Sequence, residues 1–377
     1  MRSLFVAAFT LLALPAAAFE PTGNAVADAF LRTLDGLEFG SATAGAVSRA
    51  DGATVLEEVA GKGADKALTI ARVRIEDGTV NADNALSAAA IDYDGLKIFD
   101  AAGKETGNVE AIALTDVRLA AATDETALTD LLGDFATVSM TGVTATSVDD
   151  ETLTIEALNF VRTGRDTPDV SAITVVVDGL KFDLTLFGEP TESQIRNLGY
   201  EALKVYIKAA GAWSSADGRV VIEPSALSVA EMGTLKVEGA ANGLTQAAFD
   251  ALENANVEYP RLMELMGSVT VDGLTLSFLD NGLTDRLMDN LGKSAGADRA
   301  TLVAQLTAAL EAQVAAIGDA AFTRSVTGAV RQFLSEPGEM TVVAAPAQQI
   351  SAFQIFSAAM LNPAVLPELL SLQISAD

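Results

Sequence analysis

Apolar and polar residues alternate in short runs from residue 44 to about residue 188. After residue 269 the apolar residues fall mainly at helical spacing. Alternation predicts half-buried strands, because successive strand side chains point to opposite faces. In the first stretch 54–59 and 67–75 are the clearest runs, and the pattern repeats at 87–91 leading to 93–99, then at 109–119, 138–147, 152–161 and 171–187. In 109–119 the predicted apolar side is Val109, Ala111, Ala113, Thr115, Val117 and Leu119. In 68–75 the alternation breaks once near Ala71, as a β-bulge would make it do. Asp51-Gly52 and Asp77-Gly78 carry hairpin-type turn chemistry. A short helix at 124–132 is the expected interruption of this strand-rich region.

Helical spacing opens the chain at 24–35, where Val26, Phe30 and Leu34 share one face. Thr191-Glu192-Ser193-Gln194 has the capping-box pattern. The stripe Ile195, Leu198, Ala202, Leu203, Tyr206 and Ala210 extends the predicted helix to residue 210. Strands are predicted at 220–224 and 235–238, and short helices at 246–252 and 259–266. The stretch 269–292 joins the two halves as a strand, an Asp280-Asn281-Gly282 turn and a helix. Thr284 is the predicted cap of that helix and Gly292 its stop. Helices at 298–317 and 320–334, a strand at 340–345, helices at 351–361 and 366–370 and a strand-like 371–375 complete the chain.

An apolar-Asp-Gly-Leu-polar-apolar phrase recurs at 93–98, 177–182 and 271–276. It stands at 34–39 as well, closing a helix, and 141–144 is a degraded copy. Asp94, Asp178 and Asp272 are cation-ligand candidates on this pattern. One carboxylate per turn is too few for a calcium site, so repeated bulge or turn chemistry is the expectation. The predicted fold class is α+β. An extended, mainly antiparallel β-meander or curved sheet carries packed helices and an α-rich C-terminal region. The expected division is a leader over 1–18, a β-rich domain over 19–265 and the α-rich region over 266–377.

The leader is expected from Arg2, the apolar run 4–14 and the small residues up to Ala18, with cleavage after Ala18. That run is shorter than the roughly 20 residues a spanning helix needs. No later stretch is apolar enough to span, so the mature chain is expected in the periplasm without a transmembrane segment. Cys is absent, so stability must come from burial without disulfides. Aromatic residues are 6% against 50% hydrophobic, which predicts a core of Ala, Val, Leu and Ile. The net charge of −27 disfavours a nucleic-acid partner, which would need clustered Lys and Arg. Its expected role is solubility.

His is absent, which removes imidazole acid–base catalysis, Ser-His-Asp and Cys-His sites and His-bound zinc. No phosphate-binding, Rossmann or nucleophile-elbow motif occurs. Carboxylate pairs remain as a route to glycoside hydrolysis. With 51 acidic residues such pairs arise by chance, and no catalytic residue, cofactor or metal ligand is assigned. Asp149, Asp150 and Glu151 form the densest acidic cluster, expected to be a solvated turn rather than a cation site. Trp213 is expected to pack as a lid over the sheet, its other role being a surface anchor. The helix at 353–361 is expected to be the most buried of its region, or else a docking face. Trp213, Val176, Phe353 and Phe356 are therefore the candidate contacts to a ligand or partner.

The phrases Leu-Thr-Ile-Ala-Arg-Val-Arg-Ile-Glu-Asp-Gly at 68–78 and Val-Asp-Gly-Leu-Lys-Phe at 177–182 resemble the AsmA-like bacterial envelope proteins over about residues 50–280. The resemblance implies a sheet with an apolar trough for lipid acyl chains. The chain is expected to depart from that family by lacking a mature membrane anchor, which puts bridging between membranes outside the expectation. From residue 335 onward it resembles the tail of secreted bacterial proteins of unknown function. The expected function is a non-enzymatic periplasmic protein that binds an apolar ligand or envelope lipid along its sheet. The alternative is a structural or interaction protein of the envelope with no small ligand. A carboxylate hydrolase ranks last.

Overall fold

The structure is a computed structural model that describes residues 21–36, 42–63, 65–121, 132–147, 151–166, 170–248 and 259–377. The expected leader, residues 124–131 of the expected 124–132 helix, Asp149 and Asp150 and the end of the 246–252 helix lie outside the described residues. The fold is α+β and mainly antiparallel, with seventeen strands among the described residues. Two compact units divide the chain, 1–159 and 160–377.

The N-terminal unit opens with helix α1 (Ala25–Gly36). Asn24 caps it, its Oδ1 accepting from the backbone N–H groups of Val26 and Ala27. The strands follow as β1 (Ala42–Thr43), β2 (Ala46–Ala50), β3 (Ala53–Lys62), β4 (Lys66–Glu76), β5 (Thr79–Val80), β6 (Leu86–Asp100), β7 (Glu105–Leu119) and β8 (Thr137–Thr146), and the division falls within β9 (Thr152–Thr163). The meander runs through β2, β3, β4, β6, β7 and β8, each antiparallel to the next. The apolar stripe of α1 lies on β3 and β6, and Val26, Phe30, Leu31 and Leu34 are buried with Leu56, Ile75 and Ile91. The Phe30 ring centroid is 6.0 Å from that of Tyr93. Burial also pushes the Tyr93 hydroxyl up from its ordinary value.

Two strand expectations change here. Near Ala71 no residue is inserted, because Glu57 pairs Arg72 and Val59 pairs Ile70 in unbroken register. Burial nevertheless changes phase, from Leu68 and Ile70 to Val73 and Ile75. It does so where the facing residues, Glu58 and Gly95, adopt φ of 53° and 65°. The same row continues through Glu110 to Gly142, at φ 61°. Glycine suits Gly142 for its φ, and a Cβ there, 2.3 Å from the Glu110 Cγ, would also require the Glu110 side chain to swing aside. In β7 the buried residues are Ile112, Leu114, Val117 and Leu119, while Ala113 and Thr115 are exposed. Asp116, at φ 49°, reverses the pleat between the two halves.

The C-terminal unit begins its ladder with β10 (Val170–Asp183), whose expected continuation to residue 187 is a 3-10 turn instead. Helix α2 (Thr191–Asn197) is much shorter than the periodicity predicts. Its N-cap position is Pro190 with no side-chain cap, and Ser193 Oγ donates to Glu189 instead of completing a capping box. Gly199 turns the chain at φ 86°, and Ala202–Ser214 is strand β11. Val205, Tyr206 and Ile207 favour the strand, and pairing on both sides overrides the helical stripe. Strands β12 (Arg219–Val229) and β13 (Gly233–Asn242) are longer than predicted. Pro224 does not end β12 because it falls in a register shift between Ile222 and Ser225, where a missing N–H is tolerated.

Helix α3 (Tyr259–Ser268) leads into β14 (Thr270–Asp280), and helix α4 (Leu283–Ala295) follows. Asp280, rather than Thr284, closes the N-terminus of α4. Its Oδ1 accepts from the Thr284 N–H and hydroxyl at 2.8 and 2.7 Å, and its Oδ2 from the Gly282 N–H at 2.8 Å. Replacing Asp280 with Ala should lower stability by about 1–2 kcal/mol, read from the urea midpoint. An unchanged midpoint would remove this cap from the account. Gly292 lies inside the helix, which stops at Gly296, φ 63°. Helices α5 (Arg299–Ala315) and α6 (Ala320–Ser335) start at Asp298 and Asp319 caps. The backbone N–H of Thr301 holds the Asp298 carboxyl below its ordinary pKa. Strand β15 (Glu339–Ala344) returns beside β14, β16 (Ile350–Ser351) extends the same edge, and β17 (Gln373–Ala376) pairs β15. Between these last strands stand helices α7 (Ala352–Leu361) and α8 (Leu366–Leu369). No helix among the described residues is long and apolar enough to cross a membrane.

Candidate functional site

The ladder β10 to β15 has two unlike faces. On one, Ile173 pairs Gly211, Gly211 pairs Ile222, Ile222 pairs Gly239 and Gly239 pairs Leu274. The next row on this face runs through Ser171, Trp213, Val220 and Ala241. On the other, Val176 pairs Lys208, Lys208 pairs Ala226, Ala226 pairs Lys236 and Lys236 pairs Ser277. Lys236 also reaches Glu339 at 2.9 Å. One face is thus aliphatic and the other carries the lysines and hydroxyls.

Helices cover the aliphatic face at its β14–β15 end. Phe333 of α6 meets Phe278 edge-on at 6.1 Å, and Phe333 is buried. Beyond that contact the face stays open among the described residues. Ile173 is 43% exposed, Ile222 39%, Leu274 44% and Leu276 40%. Between β10 and β13 the surface sinks into a groove of about 420 Å³. Ile173, Val175, Trp213, Val220, Ile222 and Val237 line it, together with the small residues Ala209 to Ala212. Its lining contains no ionisable side chain. Ser225 is internally satisfied: its Oγ accepts from the Ala210 N–H and donates to the Glu223 carbonyl. Trp213 stands at one end, half-buried, its indole N–H donated to the Leu244 carbonyl at 2.6 Å. With that hydrogen bond made within the chain, the ring offers the groove an apolar surface.

The sequence candidates separate accordingly. Trp213 lies in strand β11, not past a helix end, and lines the groove. Val176 follows Val175 in a regular stretch of β10 and therefore sits on the opposite, lysine-bearing face. Ile173 and Ile222 were not singled out by sequence reasoning. Their signal is an even spacing from residues opposite Trp213, which only the strand pairing reveals. Phe353 and Phe356 lie on α7, which has no buried residue and is not the most buried helix of its region. Asp94 and Asp178 are exposed, while Asp272 accepts from Arg219 at 2.8 Å and Asn242 at 2.6 Å. Glu151 donates its backbone N–H to the Ser147 hydroxyl. Among the described residues no group of three or more acidic side chains is placed to hold a metal ion.

What this surface can do is remove hydrocarbon from water. It offers aliphatic walls, an aromatic end and no group that would hold a polar ligand in one orientation. Comparison with known proteins adds little chemistry. No curated protein matches the chain. A family model described only as an uncharacterised protein matches residues 226–377, from within β12 to the C-terminus.

Proposed function

We propose that the C-terminal unit is a non-enzymatic carrier or binding module for an apolar or amphiphilic ligand, held along the groove of β10 to β13. The observation that supports it most is the uncharged aliphatic groove beside Trp213, left open where the other face is polar. The groove volume falls in the range of about 300–1,000 Å³ common to small-ligand sites. An acyl chain suits it, since such a chain asks for no hydrogen bond and fits a strip between strands. This keeps the ligand class that the AsmA-like resemblance implies, and it accords with export to the periplasm.

Native mass spectrometry with lipid extraction, on protein purified from its own compartment, tests the proposal. A co-purifying amphiphile, lost when Ile173 is replaced by Asp, is the expected result. Ile173 is 43% exposed, so this change should leave folding intact. Val176→Asp, on the other face, should keep the ligand. A clean apo mass under gentle conditions would contradict the proposal and favour an envelope scaffold.

A further inference from the structure

The aliphatic face of β10 to β14 is corrugated. Large and small residues alternate along the row Ile173, Gly211, Ile222, Gly239 and Leu274. Two hollows result, one over β11 and one over β13, and they differ. A Cβ on Gly239 would stand 3.2 Å from Leu274 Cδ1, so the Leu274 side chain leans over that hollow. A Cβ on Gly211 would meet no side chain closer than 3.9 Å. Ala209, opposite Val175 of β10, continues this open hollow along β11. Ile207 and Trp213 stand on the same side of β11 at its two ends. Their Cα atoms are about 20 Å apart along an extended strand. The open hollow is thus a slot along β11, walled by Ile173 and Val175 on one side and by Val220 and Ile222 on the other.

The width of the slot decides what enters it. β10 and β12 lie two strand spacings apart, about 9.4–9.8 Å. Their side chains rise roughly perpendicular to the sheet. At carbon contact distances of about 3.5–4.0 Å, one hydrocarbon chain touching both walls needs about 7–8 Å between them, and two chains abreast need about 10.5–12 Å. A methyl branch widens a single chain in the same way. A peptide is refused on other grounds. The hydroxyls of the lining are Ser171 and the internally bonded Ser225, too few to satisfy the N–H and C=O groups that a peptide would bury there. Resting on the carrier reading above, we propose that the slot selects ligands by chain shape. It takes amphiphiles through one unbranched alkyl chain laid along β11, and Ala209, Gly211 and Ile222 set that selectivity.

Competition against a brominated fatty acid, followed by Trp213 quenching in the full mature chain, tests this. Hexadecanoate should displace the probe at least about tenfold better than its tetramethyl-branched analogue, which has the same head and the same backbone length. Ala209→Leu should fill the slot and weaken probe binding at least about tenfold. Its melting temperature should match the wild type, because Ala209 is exposed. Ile222→Ala lowers one wall, so it should narrow the difference between the linear and branched competitors. Absence of saturable quenching in the wild type would overturn the carrier reading and this one together. Saturable quenching with equal competition by the two acids would keep the carrier and overturn the slot. So would an Ala209→Leu variant that binds the probe like the wild type, or an Ile222→Ala variant that discriminates as sharply.

Discussion

Phe30→Ala should destabilise the N-terminal unit by about 3–5 kcal/mol, the range for deleting a fully buried aromatic ring. Phe30 has no exposed surface and lies against Tyr93, another fully enclosed ring. Aromatic residues are 6% of the chain, so the remaining core is aliphatic, with no large neighbour free to fill the space. The ring is also the centre of the α1 stripe, with Ala27 and Leu34 one turn away on either side. Its loss weakens the attachment of the helix as well as leaving a cavity. Urea unfolding followed by far-UV circular dichroism should show the midpoint falling, while Phe356→Ala, at an exposed position of α7, should move it by less than about 1 kcal/mol equivalent. A Phe30→Ala midpoint equal to that of Phe356→Ala would contradict the packing described for α1.

Gly243→Ala should cost the C-terminal unit a comparable amount. Gly243 follows β13 at φ 86°, and a Cβ there would stand 2.1 Å from the backbone carbonyl oxygen of Ser268. An L-residue at positive φ costs about 1–2 kcal/mol, and crowding against a packed neighbour about 1–3 kcal/mol, so about 2–5 kcal/mol is expected together. The clash is with backbone at the end of α3, which cannot swing aside as a long side chain could. The next residue, Leu244, accepts the Trp213 indole hydrogen bond, so the strain reaches the end of the groove. Trp213 emission should report both a lower urea midpoint and an altered native spectrum. A midpoint and spectrum like the wild type would show that the turn has room that the geometry denies it.

Most strands and helices follow from residue periodicity. The alternation at 54–59, 67–75 and 152–161 falls in β3, β4 and β9, and the helical spacing at 24–35 and 320–334 in α1 and α6. The misplacements have identifiable causes. At 198–210 the apolar residues fit a helical stripe and a strand equally well, and hydrogen bonds from β10 and β12 chose the strand. At 109–119 a single non-glycine residue at positive φ, Asp116, moved the buried side from Ala113 to Ile112 and Leu114. No local pattern announces such a reversal, because Asp is ordinary in a loop and rare at that φ within a strand. The groove was half legible. Trp213 stood out as the single tryptophan, whereas Ile173 and Ile222 became part of the site only through register. The exposure of α7 was not legible either. Its apolar composition reads as burial, and only the packing shows that the large side chains face outward.

Because Trp213 is the chain's one tryptophan and lies in the groove, its fluorescence reports on that site alone. Titration with a fatty acid brominated along its chain tests the proposed binding most directly, since bromine quenches an indole only at close range. The account predicts saturable quenching in the wild type and in Val176→Asp, and its loss in Ile222→Asp. Absence of saturable quenching, or equal quenching in Ile222→Asp, would contradict a ligand held along the β10–β13 groove.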